Sequence, residues 1–180
     1  SEDSKLIKIQ FKKIINDLNL DINKISSAHI ITNFTNSKIP SRIKFGLNVG
    51  TRDLESKLPC NICFNTMLGD PKFDSKPSSF RWTPIFINNS VITIINSSPK
   101  KNYSQHATSI LTFYRKADSS TISKEIKLKP FGEFRLKLDN ELKTFLKEDG
   151  WVTIKSDNPY VMGYYFVFHP SGAVAGDHFF

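Results

Sequence analysis

Three residues near the end of the chain are of the right types for a metal centre. His169, Asp177 and His178 offer two imidazoles and one carboxylate, a donor set that suits iron or zinc. A hairpin through SGAVAG would carry His178 back towards His169, and the chemistry implied is that of a small metal-dependent enzyme of cupin-like form. Against this, Asp177 and His178 are adjacent, and consecutive strand residues point to opposite faces. The simpler expectation is a turn or bulge at Gly176–Asp177 in which the carboxylate satisfies local backbone N–H groups. Asp177 with His178 or His106 would alternatively orient a base for a nucleophile such as Ser171, but no G-x-S-x-G elbow surrounds that serine. Cys60 and Cys63 in LPCNICFN form a lone C-x-x-C. A structural zinc site wants four ligands and a redox pair wants a strand-to-helix context. This pair sits in a strand-like run, so reduced core cysteines are expected, which favours a reducing compartment. No catalytic residue and no cofactor are expected.

The second chemical resource is aromatic. Two Trp and five Tyr accompany 15 Phe. Flat rings stack on the C–H faces of sugars while neighbouring polar groups hold the hydroxyl rim. Arg81 and Trp82, beside a proline-containing loop, and Tyr164 and Tyr165, next to Gly163, are the candidate ligand-binding residues. Gly163 lacks a Cβ and would let a ligand or another backbone approach. Trp151, in the regular strand GWVTI, is expected in the core, whereas Trp82 suits either place. Four N-x-S/T sequons, at Asn33, Asn88, Asn96 and Asn102, are no more than chance gives in a chain this rich in Asn, Ser and Thr.

These residues must be positioned by strands. From Arg81 onward the chain reads as five-to-nine-residue apolar or alternating runs punctuated by turn residues: RWTPIFIN, SVITIINSS, ATSILTFYRK, TISKEIKLK, GEFRLKLDN, WVTIKSDNP, YVMGYYFVF and AVAGDHFF. That rhythm belongs to an all-β fold, an antiparallel β-sandwich of jelly-roll or Ig-like form. ELKTFLKEDG reads as a connection with a helical turn, closed by Gly150. Upstream, SSAHIITNF, SRIKFGLNVG and LPCNICFN are shorter strand-like runs. The N-terminal stretch 4–19 predicts an amphipathic helix, with Leu6 or Ile7, Phe11, Ile14 and Leu18 at three-to-four spacing, Ser4 as N-cap and Asn19 at the end. The domain reading is a helix and linker over 1–25 and a sandwich over 26–180, with an internal boundary available in the loop 68–79.

At 180 residues the chain has room for one domain with a real core, and 39% apolar content argues against disorder. No run is long and apolar enough to span a membrane as a helix, and SEDSKLIKIQFKK lacks the layout of a signal peptide. The first residue is not Met, which suits an accessory module of a longer protein. The net charge of +8 is spread along the chain, densest at Lys5, Lys8, Lys12 and Lys13 and at Lys124, Lys127 and Lys129. Helical spacing in the first set and strand spacing in the second read as solvated faces, so nucleic acid is not the expected partner.

The succession VITIINSSP, ILTFYRK, IKLKPFGEFRLKL and VTIKSDNPYV, over roughly 85–168, resembles small bacterial sandwich domains of the sensory-rhodopsin-transducer type and related surface-protein sandwiches. The resemblance is one of strand order and turn chemistry. It implies a non-enzymatic, oligomer-forming module for binding or transduction. Taken together, the residues lead us to expect a binding or assembly module with carbohydrate as its ligand class. The alternatives are a homo-oligomeric structural or signal-transducing sandwich and the cupin-like enzyme above.

Overall fold

A pleated strand sends successive side chains to opposite faces, so alternation in sequence becomes burial on one side and solvent on the other. The computed structural model describes residues 9–25, 45–49, 60–64, 74–98, 100, 102–170 and 173–180. Contacts divide the chain into one unit over Ser1–Asn33 and another over Phe34–Phe180.

In the first unit, α1 runs from Phe11 to Asp17, shorter than the stretch its periodicity suggested. Lys13 and Asp17 pair across one turn at 2.6 Å. The helix stops where Asn19 takes a positive φ of 50°, a conformation Asn tolerates better than most residues. The proposed Ser4 cap lies outside the described residues, as does the run SSAHIITNF.

In the second unit, β1 (Phe45–Val49) and β2 (Cys60–Phe64) form an antiparallel pair. The sandwich follows: β3 (Ser79–Ile85), β4 (Ser90–Asn96), β5 (Ala107–Tyr114), β6 (Thr121–Leu128), β7 (Glu133–Lys137), α2 (Asn140–Leu146), β8 (Gly150–Ser156), β9 (Val161–Phe168) and β10 (Val174–His178). One sheet has the order β10-β9-β4-β7 and the other β3-β8-β5-β6, with every pairing antiparallel. The all-β sandwich expected from the strand rhythm is therefore what the chain forms. Its core lies between the sheets: Ile92, Ile94, Leu136 and Val161 face Leu111, Phe113, Val152 and Ile154, all buried. Burying each such side chain contributes about 1.5–3 kcal/mol before the entropy of ordering is set against it.

One end of the sandwich is closed by α2. Asp139 caps it by accepting a 2.9 Å bond from the N–H of Leu142, and Leu142 and Leu146 enter the core. This segment, read as a connection with a single turn, makes two turns because its apolar pair at four-residue spacing has a core to enter. The C-terminal tail closes the open seam. Phe179 donates its N–H to Gly163 O on one sheet at 2.9 Å, and Phe180 exchanges two 3.0 Å backbone bonds with Trp82 on the other. The Phe179 ring is buried on Gly163, where a Cβ would collide with the ring and lie 2.6 Å from the Thr93 carbonyl oxygen. The approach that Gly163 permits is thus that of the chain's own tail.

Gly163→Ala should cost about 2 kcal/mol through overpacking and lower Tm by roughly 5 °C. An unchanged melting curve would mean that the Phe179 ring does not occupy this position.

Candidate functional site

The sheet β3-β8-β5-β6 has one face in the core and one outside it. Thr83 and Ile85, Val152 and Ile154, and Leu111 and Phe113 are fully or almost fully buried. Their neighbours in sequence must therefore point outward. The register aligns those outward residues into rows across the strands. Pro84, Trp151, Tyr114 and Thr121 make one row, and Trp82, Thr153, Thr112 and Ser123 the next. Phe80, Lys155, Ile110 and Glu125 make the third. With strands about 4.8 Å apart and same-face residues about 6.8 Å apart along each strand, the three rows cover a patch roughly 14 Å on a side.

The patch is ringed and crossed by aromatics. Phe80 is 59% exposed and Trp82 45%, and Ile110 and Phe180 are also exposed. Trp82 and Phe180 lie with ring centroids 5.1 Å apart and planes tilted by 31°, held by the backbone pairing of the tail with β3. Trp151 and Tyr114 are stacked at 5.6 Å with their planes only 10° apart. Between the rings lie hydroxyls: Thr112 and Ser123 share a 3.0 Å hydrogen bond, and Thr153 sits between Thr112 and Trp82. Among the described residues the result is a surface of ring faces and hydroxyl groups.

The four residues proposed from sequence do not share this surface. Trp82 belongs to it. Arg81, one position earlier, points to the inner side, where burial lowers the pKa of its guanidinium. Tyr165 stands opposite Asp177 and packs against the core, with its pKa raised by burial and by that carboxylate. Tyr164 is 8% exposed, and burial pushes its hydroxyl up to about 12. Trp151 was expected inside and is on the outer face instead. Its neighbour Val152 takes the inward position, and the pleat leaves Trp151 no other side.

The metal triad does not assemble. His178 aligns with Tyr164, whereas His169 follows Phe168, five positions further along β9. At about 3.3 Å per residue the two imidazoles belong to positions roughly 16 Å apart. Asp177 accepts a 2.8 Å bond from the backbone N–H of His178, and His178 Nδ1 lies 2.8 Å from the Phe179 carbonyl oxygen. Among the described residues no group of three His, Cys, Asp or Glu side chains is placed to hold a metal. Ser171 lies outside the described residues.

A second concentration of polar groups sits at the end of the sandwich opposite α2. Asn96 and Asn158 are buried there, 62 positions apart in sequence. Asn96 Nδ2 donates to the carbonyls of Gln105 at 2.8 Å and Lys129 at 3.1 Å, and its Oδ1 accepts from Tyr103 OH at 2.5 Å. Asn158 Nδ2 donates to Tyr103 OH at 2.7 Å and to His106 O at 3.1 Å, while its Oδ1 accepts from Tyr160 N–H at 2.9 Å. These asparagines belong to INSSP and SDNPY, two of the segments that carry the resemblance. Their work here is to satisfy loop carbonyls where strands end. Asn96, buried in this way, is also not presentable as a glycosylation acceptor.

Beside this network lies an open depression of about 440 Å3 lined by Asp74, Lys100, His106, Asp157 and Tyr160 among others. Three of its polar groups, Asp74, Lys100 and Tyr160, are engaged with one another. Lys100 Nζ is 2.7 Å from Asp74, and Tyr160 donates to the same carboxylate. The bond from Lys100, then that from Tyr160, holds the Asp74 carboxyl below its ordinary pKa.

Sequence reasoning overlooked Phe80 and Phe180 as surface residues. Phe80 was legible, since it stands two positions before Trp82 in a strand and shares its face. Comparison with known proteins finds no match for this chain among family models, curated proteins or solved structures.

Replacing Asn158 with Ala would leave the Tyr160 N–H, the His106 carbonyl and the Tyr103 hydroxyl short of partners in a buried site. A loss of about 3 kcal/mol or more is expected in denaturant unfolding. A loss below about 1 kcal/mol would mean that water replaces the amide freely.

Proposed function

We propose that this chain is a non-enzymatic carbohydrate-binding module and that its site is the outer face of the β3-β8-β5-β6 sheet. The observation that carries the reading is the exposure of Trp82 and Phe80 on one flat face, next to Phe180 and alongside the hydroxyls of Thr153 and Thr112. A pyranose presents a C–H face and an equatorial hydroxyl rim. Ring faces receive the first through dispersion and the aromatic quadrupole, and short polar side chains receive the second. Because the rings sit on paired strands, little ordering entropy is lost when a ligand lands on them. A face three rows deep across four strands suits the internal stretch of a long glycan better than a single sugar.

A glycan array and a pull-down on insoluble polysaccharides test this. Trp82→Ala should weaken retention roughly thirtyfold, corresponding to about 2 kcal/mol for a central aromatic, with only a small fall in Tm because the indole lies outside the core and is 45% exposed. Failure of the wild-type chain to bind any glycan would overturn the proposal.

A homo-oligomeric role is the second reading, favoured by α1 and the turn that follows it. Phe11, Ile14 and Leu18 are exposed at three-to-four spacing, an apolar stripe of the kind a second copy of the helix would cover. Light scattering at high protein concentration should then report a dimer or larger, reduced to a monomer by Ile14→Lys. A wild-type chain that stays monomeric would remove this reading.

A further inference from the structure

Among the described residues, one cation of the aromatic face, Lys155, takes part in no ion pair. Lys155 lies on β8 between Phe80 on β3 and Ile110 on β5, and one row from Trp82 and Thr153. It is exposed, and no carboxylate among the described residues lies within ion-pair distance of it. The other charges of this face are engaged. Glu125 lies 3.8 Å from Lys127, and Asp157 accepts a 2.8 Å bond from the N–H of Thr108. A stacking surface with one free ammonium in its outermost row, beside the Trp82 row, is electrostatically complementary to a ligand that is mostly uncharged ring with an occasional anionic group.

We infer that the face selects acidic polysaccharides, chains whose sugar rings carry carboxylates, over their neutral counterparts. This rests on the carbohydrate reading of the same face. A stem of four methylenes lets Lys155 lie along the apolar row while its ammonium reaches the ligand's rim. A single cation suits a polymer with one carboxylate per repeating unit. Single-stranded nucleic acid also stacks on aromatic rings, but it carries a phosphate at every nucleotide and is bound along a continuous basic track. The rows contain Thr112, Thr153 and Ser123 where such a track would need lysine or arginine.

The test uses the whole chain and three polysaccharides with one carboxylate per repeating unit of two or more sugars: hyaluronan, unsulfated chondroitin and gellan. Each is paired with its carboxyl-reduced form, which keeps the backbone and removes the charge, and a single-stranded DNA oligonucleotide is added. Affinity electrophoresis should show at least one acidic polymer binding about tenfold more tightly than its reduced form. Lys155→Met, which removes the charge and keeps an apolar stem, should abolish that preference by bringing the acidic form down to the level of the reduced one, and Trp82→Ala should weaken both. Equal binding of acidic and reduced forms by the wild type would overturn the charge selection and leave the carbohydrate platform standing. Binding of neither form would remove both, and tighter binding of the DNA would reassign the face to nucleic acid.

Discussion

The register of β8 between β3 and β5 is the constraint on which the rest of the structure depends. Val152 and Ile154 are buried against Thr83, Leu111 and Phe113, and this fixes Trp151, Thr153 and Lys155 on the far side. A slip of one residue would reverse every side chain in the strand. It would expose two β-branched core residues and drive the Lys155 ammonium into an apolar interior, where an unpaired charge is intolerable. The same energetics that build the core therefore build the outer face. No separate force is needed to present the two tryptophans, since they occupy the positions that the core leaves over.

The surrounding parts hold that sheet in place. At one end α2 inserts Leu142 and Leu146, and at the other the Asn96–Tyr103–Asn158 network satisfies the carbonyls of Gln105, His106 and Lys129 where strands give way to loops. Along the open seam, Phe179 and Phe180 cross from β9 to β3. Phe179 fills the core above Gly163, and Phe180 covers the outward backbone groups of Trp82 and sets its ring against the indole. Pro84, with no N–H to offer, blunts the same edge two positions on. The tail therefore links the core to the outer face: the residue that shuts the sandwich is next to the one that extends the aromatic surface.

Much of this was legible in the sequence. Ile122, Ile126 and Leu128 alternating with Ser123, Glu125 and Lys127 announce a half-wet strand, and Asn88–Asn89 announces the turn between β3 and β4. Sidedness was not legible where both faces of a strand are apolar. YVMGYYFVF gives no alternation to follow, so the burial of Tyr164 and the inward packing of Tyr165 depend on neighbours far along the chain. Trp151 looked like a core residue because it stands in the regular strand GWVTI. Its place is decided by the smaller Val152, whose methyl groups fit the space opposite Phe113. Pairing at long range was equally hidden. Nothing local to His169 or His178 reveals that the hairpin between them separates rather than joins the two imidazoles, and nothing local to Asn96 names Asn158 as its partner.

Both of the chain's tryptophans, Trp82 and Trp151, lie on the outer face of one sheet, on adjoining strands and in adjoining rows. Their two indole N–H signals in a 1H–15N spectrum are therefore direct reporters of that face. On titration with a bound glycan both should shift or broaden together, while the side-chain amide signals of Asn96 and Asn158 stay where they are. Unmoved indole signals, with the perturbations gathered instead around Lys100, His106 and Tyr160, would place binding in the polar depression and contradict the assignment of the aromatic face.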